Sequence, residues 1–419
     1  MFKSKFRAYL ERQQPLAVKT HLAVSAIRDS LYVTIPCHDE PNLLHSLRSL
    51  AECTPPSSEV TVIVVVNASD QASSEVLARN QETIQTVMDW WENQPRPFYQ
   101  LCLMEASALP SKWAGVGWAR KIAMDEAVRL TEISDSNEGI LIAFDADSLV
   151  SRNYFTAIEK AFRENRQYNF VNLHFCHPVD DPSLTPSLRE GIILYELYLR
   201  YLKNAMQWCG YPHAIHTVGS SFAVKASAYV KQGGMNRRQA GEDFHFLHKI
   251  VQLGDYGMIR DATVYPAARI SHRVPFGTGA ALKKWEEGDR ELHSAYALSA
   301  FETLRPLFRD PGFFFTTGKD AWTDFFSQLD PMLHHYIISG GIPEKLDELR
   351  NNCSDNSTFV KRFYHLVSAF WIIRYLNLYE TTAGGKGNLT EEAIRLLEAL
   401  KAETPGKKDT RELLEIFRT

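Results

Sequence analysis

Apolar and polar stretches alternate along the first third of the chain in a way that predicts strands and helices in turn. Residues 31–36 (LYVTIP) and 60–66 (VTVIVVV) are β-branched apolar runs of strand length, and each ends in turn-prone residues. The segment NLLHSLRSLAE between them carries leucines at helical spacing. This pattern predicts a βαβ unit with parallel strands and a right-handed crossover.

The alternation continues beyond this unit. A helix is expected at about 72–93, a strand at 98–104, a helix at about 115–131 and a strand in GILIAF at 139–144. Such a pattern predicts an α/β fold with a Rossmann-like, mainly parallel sheet and helices on both faces. Ligands of these sheets bind beyond the carboxyl ends of the strands.

Polar clusters follow three of the predicted strands, and we expect them to converge on one crevice at the carboxyl edge of the sheet. The clusters are Cys37-His38-Asp39-Glu40, Asn67-Ala68-Ser69-Asp70 and Asp145-Ala146-Asp147.

The character of the chain changes further along. Residues 186–208 have the pattern of a long amphipathic helix, and a turn at 219–221 precedes another helix at 241–253. Beyond about residue 280 the segments are helical and aromatic-rich, without strand signals. We therefore predict three parts: an N-terminal helical extension (1–30), an α/β domain (31–280) and a helical C-terminal region (281–419).

Composition and charge narrow the class of protein. Of 419 residues, 45% are hydrophobic and 23% charged, as in soluble globular proteins. The net charge of −4 argues against a general nucleic-acid binder, which would carry a basic field. The six cysteines form no C-x-x-C pair, which indicates a reducing compartment.

The hydropathy of the chain predicts neither a signal peptide nor a transmembrane helix, so we expect a cytoplasmic protein. No window reaches the roughly eighteen apolar residues that a membrane span needs. The nearest, 366–376, is shorter and contains Arg374. The longer segment 363–379 is apolar enough to lie on a membrane surface, but it is poor in basic residues. An apolar stripe of this kind more often packs in the core of a protein.

Asp145 and Asp147 are the strongest candidates for chemistry. Residues i and i+2 of a strand point to the same side, so both carboxylates can face one point. A divalent cation such as Mg²⁺ or Mn²⁺ would remove their repulsion, because hard oxygen ligands suit these ions. The alternative is that Asp147 or Ser148 caps a turn or the helix near Tyr154.

Five segments in order resemble the motifs of family 2 glycosyltransferases, which have the GT-A fold. The resemblance covers about residues 30–280 and leaves the C-terminal helices outside. The matching segments are IPCHDEPNLLHSLRSL (35–50), VIVVVNASD (62–70), KWAGVGWARKIAMDEA (112–127), FDADS (144–148), and GSSFAVKASAYVKQGGMN (219–236) with GEDFHFLHKI (241–250).

The resemblance implies a nucleotide-sugar donor held through Mn²⁺ or Mg²⁺. Asp145 would lie near the ribose and the metal, and Asp147 would ligate the metal. The remaining donor-side residues implied are Pro36, His38, Glu40 and Asn67 at the base and ribose, Arg120 and Lys112 at the diphosphate, and Gly115 and Gly117 for close backbone approach. The alternatives are solvated helix charges for Arg120 and Lys112, and a strand-end polar residue for His38.

On the acceptor side, the resemblance implies that Asp243 is the general base of an inverting displacement. Glu242 would orient the acceptor, and Ser220 and Ser221 would bind it. The alternative is that both acids simply favour the start of a helix, where the dipole stabilises negative charge. His272, in the segment after this motif, would supply a third metal ligand, or else it is a surface histidine.

Two departures from the family pattern leave the nucleotide open. Asn67 stands where the family commonly has aspartate after its second strand, so UDP, GDP and dTDP donors all remain candidates. His38 and Asp39 replace the usual Tyr-Asn.

The resemblance thus implies a metal-dependent, inverting hexosyltransferase that acts on a glycan, a lipid-linked sugar or a small metabolite. With a lipid-linked acceptor, the enzyme would visit the inner face of the membrane. A catalytically inactive binding module of the same fold is one alternative. A sugar-nucleotide pyrophosphorylase is another, although PCHDEPN lacks its Gly-rich, basic loop.

Overall fold

The computed structural model describes residues 2–13, 18–26, 30–134, 138–236, 241–271, 276–382, 385–402 and 409–419. The chain forms two compact units. The first comprises residues 1–188 and 217–283, and the second comprises residues 189–216 and 284–419.

The strands of the first unit form one sheet of nine strands within the described residues. In chain order they are β1 (Lys19–Leu22), β2 (Leu31–Cys37), β3 (Val60–Ser69), β4 (Gln100–Leu109), β5 (Ile140–Ala143), β6 (Leu149–Val150), β7 (Phe170–Phe175), β8 (Phe222–Lys225) and β9 (Tyr256–Tyr265). Their order across the sheet is β1-β4-β3-β2-β5-β8-β7-β9-β6. The second unit has only the two-residue strands β10 (Ser294–Ala295) and β11 (Gly387–Asn388) among its described residues.

The helices account for most of the remaining described chain. In chain order they are α1 (Phe2–Leu10), α2 (Leu43–Ala51), α3 (Ser74–Asn93), α4 (Val116–Ile133), α5 (Tyr154–Glu164), α6 (Pro186–Trp208), α7 (Ala226–Lys231), α8 (Glu242–Ile250), α9 (Thr278–Glu286), α10 (Leu298–Arg309), α11 (Phe313–Thr316), α12 (Lys319–Ser327), α13 (Pro331–Ser339), α14 (Ile342–Asn351), α15 (Asn356–Leu366), α16 (Ala369–Thr382), α17 (Leu389–Leu400) and α18 (Thr410–Arg418).

Four neighbouring strands, β4, β3, β2 and β5, are mutually parallel and form the centre of the first unit. Strands β2 and β3 are buried along nearly their whole length, which explains their continuous apolar sequence. The helices α2, α3 and α4 supply the long connections that parallel strands require. The predicted α/β class, with further helices in the C-terminal region, is confirmed.

Strands β1, β7, β8 and β9 differ from the sequence-based expectation, which placed no strand in those segments. Strand β1 lies within the predicted N-terminal helical extension and pairs antiparallel with β4, covering an otherwise open sheet edge. Strand β9 has an irregular burial pattern because it lies near the other edge, between β7 and β6. Strands of this kind carry a weaker apolar signal than the central ones.

The second unit is helical and has its own aromatic core. The apolar segment 363–379 contributes Phe363, Ile372 and Tyr375 to that core, where all three are fully buried. The alternative in which this stripe is core is therefore the one that the structure supports. Among the described residues, no helix combines the length and the apolar character that crossing a lipid bilayer demands.

Candidate active site

The carboxyl edge of the parallel strands brings several of the predicted site residues together. Strand β2 pairs with β3 on one side and β5 on the other, all in the same direction. Segments 38–40 and 145–147 follow β2 and β5, and segment 67–70 contains the last residues of β3, so all three lie at one edge of the sheet. A direct contact links two of these segments, because His38 Nδ1 lies 2.8 Å from the main-chain oxygen of Asn67.

The loop after β2 is held in an unusual conformation by helix α3. Asp39 has a φ of 52°, a left-handed backbone that few non-glycine residues adopt. Its N–H donates to Asn80 Oδ1 at 2.9 Å, and its carboxylate pairs with Arg79. Asn80 Nδ2 in turn donates to the main-chain oxygen of Asn67 at 3.0 Å. These contacts fix the loop relative to the end of β3.

The side chain of Asn67 carries a buried acceptor near the end of β3. Asn67 is buried, and its Oδ1 has no hydrogen-bond partner among the described residues. An unsatisfied buried acceptor costs about 1–3 kcal/mol, so a bound group that donates to it would recover this energy.

Arg120, in the second turn of α4, links the loop after β5 to the start of α8. Its Nη2 donates to Asp145 Oδ1 at 2.9 Å, its Nε to Glu242 Oε1 at 3.2 Å, and its Nη1 to the Gly219 main-chain oxygen at 2.8 Å. The side chain is only 2% exposed. Burial by itself would lower the pKa of Arg120, but Asp145, Glu242 and Asp243 raise it above its usual value. The guanidinium is therefore a permanent positive charge that positions carboxylates.

Glu242 and Asp243 open helix α8, directly after Gly241, whose φ of 68° turns the chain into the helix. Asp243 Oδ1 accepts the N–H of Phe244 at 2.7 Å. Burial raises the pKa of Glu242, and burial together with the charge of Glu242 raises the pKa of Asp243 to about 7. Since Asp243 also keeps part of its surface exposed, it can take up a proton near neutral pH.

Gly219 allows the arginine and the aspartate to approach each other. A Cβ at this position would lie 3.0 Å from both Arg120 Nη2 and Asp243 Oδ2. A side chain there would push at least one of the two charged groups away by a few tenths of an ångström. The glycine of the GSSF segment therefore lets both groups lie close to the main chain.

Arg269, which follows β9, connects the loop after β2 to the loop after β5. Its Nη2 and Nε both donate to Asp147 Oδ2, at 2.6 and 3.1 Å, and its Nη2 also pairs with Glu40 Oε2. The other oxygen of Glu40 accepts the N–H of Asn42 at 2.9 Å. Burial opposes the charge of Arg269, but Asp147 and Glu40 raise its pKa above the usual value.

Carboxylates outnumber arginines among the described residues of this cluster. Arg120 pairs with Asp145 and Glu242, Arg269 pairs with Glu40 and Asp147, and Asp243 lies beside Arg120. Carboxylates repel an anionic group such as a diphosphate unless a cation accompanies it. The carboxylates in the cluster are Glu40, Asp145, Asp147, Glu242 and Asp243.

The carboxylate oxygens of Asp145 and Asp147 are of the donor type that divalent cations prefer. Mg²⁺ and similar ions bind through one or two protein carboxylates together with substrate phosphates. Asp145 and Asp147 are partly exposed, at 35% and 22% of their side-chain surface. Within the described residues, no group of three or more His, Cys, Asp or Glu side chains could hold a metal ion by itself. His272, the predicted third ligand, lies outside the described residues.

The other predicted site residues take varied positions. Lys112 is exposed, whereas Pro36 is buried in β2. Gly115 is the N-cap of α4, and Gly117 is buried in its first turn. Ser220 and Ser221 are both fully buried, and neither hydroxyl has a hydrogen-bond partner among the described residues.

Sequence reasoning missed the part that Arg269 plays. The residue stands 229 positions from Glu40 and 122 from Asp147, so no local pattern links them. The available signal was an arginine just beyond a strand, in the segment that also carries His272.

No protein-family model and no curated protein matches the sequence. Among solved structures, the chain is similar to S. aureus TarS in complex with UDP-GlcNAc, with 13% identity and a TM-score of 0.40 over 80% of this chain and 92% of that one. It is also similar to the mannosyltransferase PcManGT from Pyrobaculum calidifontis in complex with GDP-Man and Mn²⁺, with 13% identity and a TM-score of 0.37 over 99% and 91% of the two chains. A third structure, GalNAc-T7 with UDP, GalNAc and Mn²⁺, has 14% identity and a TM-score of 0.35 over 75% and 58%. Similarity at this level leaves the function to be argued from the site.

Proposed function

We propose that the protein is a metal-dependent, inverting glycosyltransferase that moves a hexosyl group from a nucleotide sugar to a hydroxyl acceptor. One observation carries the proposal. Five carboxylates lie with two arginines at one edge of the sheet, and one of these carboxylates, Asp243, has a pKa raised to about 7. The first feature suits a diphosphate that arrives with a divalent cation, and the second suits a general base.

On the donor side, Asp145 and Asp147 would hold the cation. When bound, a divalent cation offsets the charge that develops on the leaving diphosphate. Arg120 keeps Asp145 in place through a hydrogen bond of 2.9 Å. The base and ribose would lie against the loop after β2 and the end of β3, near His38 and Asn67.

On the acceptor side, Asp243 removes the proton from the attacking hydroxyl group. The acceptor oxygen forms a bond to the anomeric carbon, while the bond from that carbon to the diphosphate oxygen breaks. The proton resides on the Asp243 carboxylate, and the bonding electrons leave with the nucleoside diphosphate. Glu242 remains paired with Arg120 at 3.2 Å and orients the start of α8. Displacement from the opposite face inverts the anomeric configuration.

The acceptor class proposed is a glycan, a lipid-linked sugar or a small hydroxylated metabolite. The partly exposed carboxylate of Asp243 supports a hydroxyl acceptor of this kind, since its proton can be transferred directly.

The test is turnover of a panel of UDP-, GDP- and dTDP-sugars, each with Mn²⁺, Mg²⁺ or EDTA. We expect slow hydrolysis of one donor that EDTA abolishes, and NMR of the released sugar would give its anomeric configuration. Asp261→Asn, an exposed carboxylate on β9, serves as the control and should leave hydrolysis unchanged. Binding of a donor without turnover by any acceptor would favour an inactive binding module. Formation of a nucleotide sugar from a nucleoside triphosphate would establish a pyrophosphorylase instead.

A further inference from the structure

Arg269 has a place in the cluster that the proposed reaction does not yet use. Its guanidinium pairs with both Glu40 and Asp147. These two partners differ in accessibility, because Glu40 is fully buried and Asp147 is 22% exposed. The two ion pairs therefore have different roles.

The contact with Glu40 is an anchor. A fully buried carboxylate without a cation would be strongly destabilising, since removing one partner of a buried pair leaves an uncompensated charge. Glu40 also accepts the N–H of Asn42, which ties it to the start of α2. Arg269 is thus held at the loop after β2 by a pair that resists exchange.

The contact with Asp147 can be exchanged. Both Nε and Nη2 of Arg269 donate to a single oxygen, Oδ2, of this carboxylate. The proposed cation site uses the same carboxylate. A divalent cation and the guanidinium would repel each other at such close range, so Asp147 can serve only one of them fully.

We propose that Arg269 is a displaceable counter-ion of Asp147, and that its ion pair and the divalent cation exclude each other. This inference rests on the proposed function. Without donor, Arg269 neutralises Asp147 and keeps the carboxylates of the two loops together. When the cation and the donor enter, Arg269 keeps its anchor on Glu40, and its released N–H groups donate to the diphosphate. Planar guanidinium groups suit phosphate oxygens, so the released side chain gains new partners.

The test compares Mn²⁺ binding by the full-length wild type and Arg269→Gln without donor, with free Mn²⁺ measured by electron paramagnetic resonance. We expect the variant to bind Mn²⁺ about tenfold more tightly, because Arg269 no longer competes with the ion for Asp147. A factor of about ten corresponds to the usual contribution of one charge-assisted hydrogen bond. At saturating Mn²⁺, the same variant should bind the nucleoside diphosphate about tenfold more weakly, because it lacks the donor to phosphate.

Two further variants keep the outcome interpretable. Arg269→Lys retains a positive charge for Glu40 but lacks the planar guanidinium group. Its Mn²⁺ affinity should therefore lie between those of the wild type and Arg269→Gln. Arg129→Gln breaks an exposed pair with Glu126 on α4 and should match the wild type. Mn²⁺ affinity that is unchanged or weaker in both Arg269 variants would overturn the inference while leaving the proposed function intact. Failure of every protein to bind Mn²⁺, with UDP, GDP and dTDP each tested, would overturn both.

Discussion

At the scale of single residues, two neighbouring carboxyl groups at the start of α8 have different surroundings. Glu242 is paired with Arg120, whereas Asp243 is partly exposed and has a raised pKa because of burial and the neighbouring Glu242 charge. The pairing leaves Asp243 as the group that can accept a proton from a substrate.

The substitution Asp243→Asn tests this role. It should lower kcat for sugar transfer by about 10²–10⁴-fold, the usual contribution of general base catalysis. Binding of the nucleoside diphosphate should stay within about twofold of wild type, since the diphosphate is held elsewhere. Steady-state kinetics and calorimetry check both parts, with Asp261→Asn as the control. Transfer at the wild-type rate would show that Asp243 is not the base.

The raised pKa also predicts the pH dependence. Because the base must be ionised, kcat/KM should fall as pH decreases below about 7, with an acid limb of one proton. The free energy of unfolding changes in the opposite direction. The folded state binds the proton of Asp243 more tightly than the unfolded state does, so this stabilising contribution is lost as pH rises through about 7. The melting temperature of Asp243→Asn should therefore fall less than that of the wild type between pH 5 and 8. An acid limb near the ordinary aspartate value of about 4 would contradict this account.

The sequence predicts the site only as far as its motifs reach. The loops after β2, β3 and β5 were expected at one edge because parallel strands place their carboxyl ends together. The links made by Arg120 and Arg269 were not foreseen, since each joins residues more than a hundred positions apart through side-chain geometry. Arg120 was expected at the diphosphate, and the structure directs its nitrogens to protein acceptors.

At the scale of structural elements, the turn before β8 determines how closely Arg120 of α4 and Asp243 of α8 can approach each other. Gly219→Ala would place a methyl group 3.0 Å from both Arg120 Nη2 and Asp243 Oδ2. We expect kcat to fall by up to about tenfold, because even a small displacement of a reacting group lowers the rate. Gly318→Ala is a matched control, since its Cβ would meet open space. Circular dichroism should show both variants folded. Equal kcat values for the two would refute the role of Gly219.

Helix α18 is fastened to α6 within the second unit by a buried ion pair. Glu196 is fully buried, and its two oxygens accept from Arg418 at 2.8 and 3.0 Å and from Arg200 at 2.9 Å. Arg418→Ala should lower the free energy of unfolding by about 1–3 kcal/mol, because a charge-assisted contact to a buried carboxylate is lost.

Thermal unfolding of this variant measures the effect directly. The control, Lys319→Ala, removes an exposed pair with Asp347 in the same unit and should cost at most about 1 kcal/mol. If the two variants melt at the same temperature, the buried pair does not fasten α18.

The predictability of the elements follows their burial. The central strands β2 and β3 were predicted closely, because strands covered on both faces are continuous apolar runs. The strand predicted at 98–104 extends in the structure over Gln100–Leu109. Strands β7 and β8 are also mostly buried, but they are only six and four residues long, and a short apolar run does not distinguish a strand from a helix.

At the scale of the whole molecule, the net charge is −4, and five carboxylates lie with two arginines at one edge of the sheet. A negative field of this kind does not attract an anionic ligand. We therefore propose that binding of the nucleotide-sugar donor requires a cation that enters with it.

Calorimetric titration of UDP, GDP and dTDP into the wild type, with Mn²⁺ or with EDTA, tests that claim most directly. Asp147→Asn and the control Asp261→Asn are measured in the same way. We predict that one nucleotide binds with Mn²⁺, that EDTA abolishes its binding, and that Asp147→Asn weakens it at least about tenfold while the control does not. Binding of equal strength in EDTA, or in Asp147→Asn, would contradict the account.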